Sequence, residues 1–427
     1  MKTCLLKFIL LLSLLFVIQS CASNRNVPKA QDIVFKNVAV ISMVDEHILE
    51  NKSVYIADGT IIAIDDYENL NLPKKTLIIN SDGKFLLPGF SDMHVHTDHE
   101  EVLSLFLANG VTTIRNMWGL PDHVEYREAI SNKEILGPNL YTTGPLIDGT
   151  IPVWRNSFIL DDPADVEQAI KQMKIDGYDF IKVYERLKSD VYQEIIRVAK
   201  EINIPVVGHV PSLVGIDAVL ESGQQSIEHF TGYSQFMSEE ISSRVIDLTV
   251  KNRVWNCPTL IVKKNYENLN DLKSSEIDEL KYVHIDVVKY WKGSASSIMQ
   301  LNYAKELLKT LYDKGANIVS GTDTGNPYVI AGFSLHEEFQ LMQESGLTPF
   351  QVLLTTTVKP AEMLGLEEHA GTIEVGKNAD LVLLNKNPLI DIQNTRTIEG
   401  VMTKGIWLSK IKIQEMLDEV ESAYRVR

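Results

Sequence analysis

From Phe85 onward, short β-rich runs alternate with amphipathic helical stretches, and this alternation constrains the chain more than any other feature. Candidate strands fall at 89–96, 111–117, 140–146, 179–184, 205–209, 226–230, 254–259 and 318–323. Helical patterns lie between them at 101–108, at 164–175 behind an Asp162-Pro163 start, at 191–201 and at 303–314. Eight strand–helix units predict the α/β class and a TIM-like (β/α)8 barrel over residues 85–370. In such a barrel the catalytic groups sit at the carboxyl ends of the strands. The helical stretch at 274–297 is longer than a barrel return needs and reads as an insertion over the mouth.

The chain ends have a different rhythm. Residues 33–84 read as strands at 33–43, 54–64 (with the turn Asp58-Gly59) and 76–80, followed by Asp82-Gly83. After Leu364, strand patterns return at 371–375, 379–384 and 400–408. Pairing the two ends predicts a composite β-sandwich from 33–84 and 371–409, closed by a helix over 410–427.

The first twenty residues do not read as part of the fold. Lys2 and Lys7 precede an apolar run over 8–18 of signal-peptide length, which ends in Ile18-Gln19-Ser20-Cys21. That ending resembles a bacterial lipobox, which implies cleavage before Cys21, lipidation of its thiol and a tether over 21–32. A plain cleaved signal and an uncleaved anchor are the alternatives. The expected location is the bacterial cell envelope, with the protein lipid-anchored and facing the periplasm or exterior. Of the three cysteines, Cys4 leaves with the signal and Cys21 carries lipid, so Cys257 has no disulfide partner. The net charge of −16 repels phosphate backbones, so no nucleic-acid partner is expected.

The chemistry is concentrated at strand ends. In Pro88-Gly89-Phe90-Ser91-Asp92-Met93-His94-Val95-His96 the two imidazoles are two residues apart and share one face of a strand. Side by side they suit a divalent cation, because as two protonated groups they would repel. Lys182, His209, His229 and Asp323 fall near the ends of the fourth, fifth, sixth and eighth candidate strands, so the barrel reading brings all six residues to one rim.

This pattern resembles the amidohydrolase superfamily, in particular its imidazolonepropionase-like and prolidase-like (Xaa-Pro dipeptidase-like) branch. The resemblance runs over about residues 33–409. It rests on the strand-end set and on Leu87-Pro88-Gly89-Phe90, Gly110-Val111-Thr112-Thr113-Ile114-Arg115 and Gly371-Thr372-Ile373-Glu374-Val375-Gly376-Lys377-Asn378-Ala379-Asp380-Leu381-Val382. It implies two divalent metal ions, with zinc the best fit: His94 and His96 would ligate one, His209 and His229 the other. Lys182, carboxylated to a carbamate, would bridge them, while Asp323 would bind metal and handle the proton. A one-metal site of His94, His96, His209 and Asp323 is the alternative.

The implied activity is hydrolysis of a C–N bond (amide, peptide or cyclic amide) in a small polar, dipeptide-like substrate by metal-activated hydroxide. Lactone or ester hydrolysis at the same site is a second reading, and a non-catalytic metal- or solute-binding lipoprotein a third. Arg115, Tyr184, Tyr233 and His336 are candidate substrate contacts, with a structural salt bridge an equal reading for Arg115. Trp118, Trp154, Tyr141 and the 144–152 loop are candidate pocket walls. His99 and His123 read as solvated, and His47, His284 and His369 have no metal context. Homo-oligomerisation is left open.

Overall fold

In the computed structural model, which describes residues 27, 30–97 and 99–425, the two chain ends meet in one mixed eight-stranded sheet. The strand Ile33–Ile41 pairs antiparallel with Ile48–Ala57 and parallel with Leu77–Asn80 and Phe85–Pro88. Phe85–Pro88 then pairs antiparallel with Leu381–Leu384, which continues through Ile398–Thr403 to Ile406–Ser409. Phe35, Val54, Leu86, Leu381 and Met402 close a core over this sheet. Residues 371–375, expected as a strand, form a loop instead. Ile373 N donates to Ser42 O and Gly376 N to Ile61 O, which docks the segment across the sheet without a ladder.

Two all-parallel sheets follow. One holds Phe90–Val95, Val111–Asn116 and Asn139–Thr142; the other runs Phe158–Ile159, Ile147–Asp148, Ile181–Val183, Val206–Gly208, Ser226–Glu228 and Trp255–Cys257. Backbone bonds tie the sheets at both edges. On one side Asp179 N donates to Thr142 O and Gly144 N to Phe180 O, each at 2.9 Å. On the other, residues 318–323 form no regular strand, yet Val319 N reaches Asn256 O at 3.0 Å and Met93 N reaches Ser320 O at 2.9 Å. Gly321 makes this close approach possible: a Cβ there would lie 2.4 Å from Cys257 Sγ and 2.8 Å from His94 N.

Helices pack outside these sheets for reasons visible in sequence. Pro163–Ile175 starts where Asp162 accepts the Ala164 N–H, with proline in the first turn. Ser189–Glu201 buries Val191, Tyr192, Ile195, Val198 and Ala199, a stripe at helical spacing; each fully buried aliphatic chain there contributes about 1.5–3 kcal/mol. The 274–297 stretch is not one helix. It divides into a 3-10 turn, Asp278–Tyr282, and the helix Ile285–Gly293, and it ends in the serine-rich segment after Gly293. Trp291 anchors it by donating from Nε1 to Gly325 O. The closing helix is Lys410–Arg425. No helix among the described residues is long and apolar enough to cross a membrane, and the signal, lipobox and Cys21 readings lie outside them.

Candidate metal centre

The first parallel strand sets the centre. Along Phe90–Val95 and into His96, Asp92, His94 and His96 share a face, as period-two alternation requires. Asp92 is fully buried and accepts from Thr322 N at 2.9 Å and Thr322 Oγ1 at 2.6 Å, which fixes the 318–323 segment against this strand. Asp323 N in turn donates to His94 O at 2.6 Å. Those bonds deliver the Asp323 carboxylate to the imidazoles: Oδ1 lies 2.9 Å from His96 Nε2 and 3.4 Å from His94 Nε2, and Oδ2 lies 3.6 Å from His229 Nε2.

The other two histidines and the lysine arrive on the second sheet. The His94 and His229 rings are 4.5 Å apart between centroids, and those of His209 and His229 are 5.1 Å apart. Lys182 Nζ is 3.4 Å from His94 Nε2. His229, Phe230, Thr259 and Asp323 all have φ between 46° and 59°, a region that side-chain-bearing residues seldom adopt. Backbone strain is thus gathered at the strand ends that carry the cluster.

Three of the four imidazoles are oriented from behind, while His96 Nδ1 has no hydrogen-bond partner among the described residues. His94 Nδ1 meets Glu228 Oε2 at 2.8 Å, His209 Nδ1 meets Glu185 Oε1 at 3.1 Å, and His229 Nδ1 meets Thr259 Oγ1 at 2.6 Å. Burial holds His94 down at about 3, and it lowers His209 and His229 as well, so these rings are neutral. With Nδ1 of His94 donating to a carboxylate, its Nε2 presents a lone pair toward an Asp323 oxygen 3.4 Å away. Two lone pairs facing across that gap suit a cation between them. His209 Nε2 is buried without a hydrogen-bond partner among the described residues, as a ligand atom would be. The ligand atoms of His94, His96 and Asp323 all lie within 4.8 Å of one another. This donor set of imidazole nitrogens and carboxylate oxygen fits zinc-like divalent ions.

Lys182 is buried, and burial brings its ammonium down to about 8, although Glu228 and Asp323 pull the other way. Burial would raise the Glu228 carboxyl, but Arg115 and His94 outweigh it and keep it ionised. Arg115 itself corrects an expectation. It is completely buried beneath the cluster, donating Nε to Met93 O at 2.7 Å and Nη2 to Glu228 at 2.9 and 3.1 Å. It pairs with protein and does not reach the cavity, so the salt-bridge alternative is the one observed.

The cavity over the cluster has a volume of about 670 Å³, and His96, Lys182, His209, His229 and Asp323 lie in its floor and walls. Of the other candidates, Tyr184 lines it, with its ring centroid 4.0 Å from that of His209 and its hydroxyl accepting from Trp154 Nε1. Tyr233 also lines it, but its hydroxyl is bonded to Thr249 Oγ1 at 2.7 Å. Trp118, Trp154 and Leu146 contribute to the walls, whereas Tyr141 does not.

His336 is a second correction. It sits in the helix Phe333–Glu344, edge-on to Phe90 and bonded through Nδ1 to Thr395 Oγ1, within the core rather than the cavity. His123 is a third: it is buried, accepting at Nδ1 from Leu120 N and contacting Thr97 O through Nε2, a loop-to-helix staple. His99 is exposed as expected.

Comparison with known proteins decides the lineage. The amidohydrolase family model matches residues 85–408, most of the chain. The chain belongs to the amidohydrolase family. Among curated relatives of this amidohydrolase, an adenine deaminase from Staphylothermus marinus is 23% identical over 380 residues, covering 83% of this chain and 54% of the deaminase. The chain thus spans about half the length of that relative. Among solved structures, a bottromycin amidohydrolase superposes with a TM-score of 0.80 at 23% identity, covering 94% of this chain and 92% of its own. A Xaa-Pro dipeptidase with bound methionine superposes with a TM-score of 0.70 at 21% identity, covering 89% and 100%. These likenesses concern the fold.

Proposed function

We propose that this amidohydrolase is a metal-dependent hydrolase that cleaves a C–N bond in a small polar, dipeptide-like amide. The observation that carries the reading is the convergence of His94, His96, His229 and Asp323 within a few ångströms beside the unpaired Nε2 of His209. Family membership and the fold likeness to a bottromycin amidohydrolase and a Xaa-Pro dipeptidase support it. With it goes the reading of the two parallel sheets as one closed (β/α)8 barrel over 85–370, with a composite sandwich from 33–84 and 371–409. The hydrogen bonds at both sheet edges favour closure.

His94, His96, His209, His229 and Asp323 would hold the divalent ions. Such ions polarise a carbonyl and lower the pKa of water toward neutrality. Asp323 takes the proton from the attacking water and returns it to the leaving nitrogen, which is too basic to depart as an anion. Glu228 keeps His94 in the tautomer that frees Nε2. The Lys182 amine adds carbon dioxide by forming an N–C bond and losing one proton, giving an anionic carbamate. Of these proposed ligands, His94, His96 and Asp323 are the set whose ligand atoms lie mutually within 4.8 Å, so a one-ion centre is the second reading. The lipid anchor at Cys21 and a cell-envelope location complete the proposal.

The test is hydrolysis of a library of dipeptides and N-acyl amino acids by zinc-loaded protein, with Asp323→Asn as control. Turnover that survives Asp323→Asn undiminished contradicts the proton-transfer role.

A further inference from the structure

One cation in the wall of the cavity forms no ion pair among the described residues. Lys263 lies on the helix Leu260–Glu267, which follows the strand Trp255–Cys257, and it lines the cavity that contains His96 and Asp323. Among the described residues its ammonium forms no salt bridge or hydrogen bond, and burial lowers its pKa. Two acids act on it without pairing, Glu267 and Glu338, and both accept backbone N–H groups. Glu267 Oε1 accepts from Met299 N at 3.1 Å and Leu301 N at 2.9 Å. Glu338 accepts from Leu260 N at 2.9 Å and Ile261 N at 2.7 Å. A partly buried ammonium without a directly paired anion is costly, and a ligand that brings its own negative charge reduces that cost.

The rest of the wall indicates what accompanies the charge. Trp118, Trp154, Tyr184, Tyr266 and Tyr290 border the same space, with the two tryptophan rings 6.1 Å apart between centroids. Aromatic walls with few convergent polar groups take an apolar body and fix it by one or two charged contacts. The other lysine that lines the cavity, Lys182, belongs to the metal cluster, and Arg115 is held by Glu228 below it.

We propose that Lys263 is the residue that recognises a substrate carboxylate, so that the site selects acids carrying an aromatic or bulky apolar group, of the N-acyl aromatic amino acid class. The inference rests on the hydrolase reading for its orientation toward the cluster, but binding and turnover test the two separately.

The test titrates tryptophan fluorescence of the full zinc-loaded chain with N-acetyl-L-phenylalanine and with its C-terminal amide. The acid is expected to bind about 10-fold to 100-fold more tightly, the worth of one charge-assisted hydrogen bond. Lys263→Met abolishes that preference and Lys263→Arg retains it. Equal binding of acid and amide by the unaltered protein overturns the proposal whatever the variants do, as does binding of neither or a preference that survives in Lys263→Met. Acid-selective binding without turnover of any N-acyl amino acid or dipeptide would leave Lys263 in its role and count against the hydrolase reading. Turnover indifferent to the carboxylate would do the reverse.

Discussion

Replacing Arg115 by methionine separates the two readings of this residue. Its guanidinium is fully buried, and its two bonds to Glu228 are supplemented by Nη1 donating to Ser226 Oγ at 3.1 Å. Methionine fills much of the same volume but leaves the Glu228 carboxylate buried without its cation, held only by His94 Nδ1 and Ser226 Oγ, which costs about 3–5 kcal/mol. Against an unfolding entropy of about 2.1 cal/mol/K per residue, a chain of this length should lose about 3–6 °C in Tm. Scanning calorimetry reads the shift. Replacing Glu228 by methionine as well removes both charges and should recover part of the loss. If Arg115→Met leaves Tm unchanged and raises KM only for carboxylate-bearing substrates, the buried-pair account is wrong and the residue faces substrate.

Three further outcomes follow from the geometry. Glu228→Gln keeps the shape but weakens the bond to His94 Nδ1, so zinc affinity should fall about 10-fold to 100-fold in a chelator competition while the circular dichroism spectrum is unchanged. Burial raises the Glu338 carboxyl to about 8 from its ordinary 4.5, against the pull of two backbone N–H donors. A raised folded-state pKa gives stability that is full below the unfolded value and is lost as pH rises toward 8, about 1.4 kcal/mol for each tenfold gain in proton affinity on folding. Urea midpoints should therefore fall between pH 5 and pH 8 and flatten in Glu338→Gln; a slope that persists in the variant refutes this. Gly321→Ala places a methyl group against His94 N and Cys257 Sγ, and should lower both Tm and zinc content together.

Much of this is legible in the chain alone. Strand–helix alternation is a local signal, so the order of parallel strands can be read from apolar runs. The His94-x-His96 pair follows from strand alternation, and Lys182, His209 and His229 from their places at strand ends, whereas Asp323 ends an expected strand, 318–323, that forms no regular strand. Asp92 could have been found by the same alternation, since it lies two residues before His94 on the same face.

Burial of a charge, by contrast, is a property of pairs. Glu228 is adjacent to His229 in sequence, but its meaning depends on Arg115, 113 residues away. His336 and His123 look like any other imidazole until their packing on Phe90 and their bonding to Thr97 O are seen. The 371–375 run alternates like a strand, yet a strand needs a neighbour with free backbone groups, and this segment finds only isolated bonds. Lys263 carries no motif at all. Its interest comes from its place in the cavity wall without a directly paired anion.

The most direct measurement is the zinc content of purified full-length protein, determined by mass spectrometry beside a His96→Asn variant of unchanged Tm. The convergence of imidazoles and carboxylate on Asp323 predicts close to two equivalents per chain, or one for a single-ion centre, with a clear loss in the variant. A well-folded protein that retains no divalent metal, or a variant that retains as much as the parent, would contradict it.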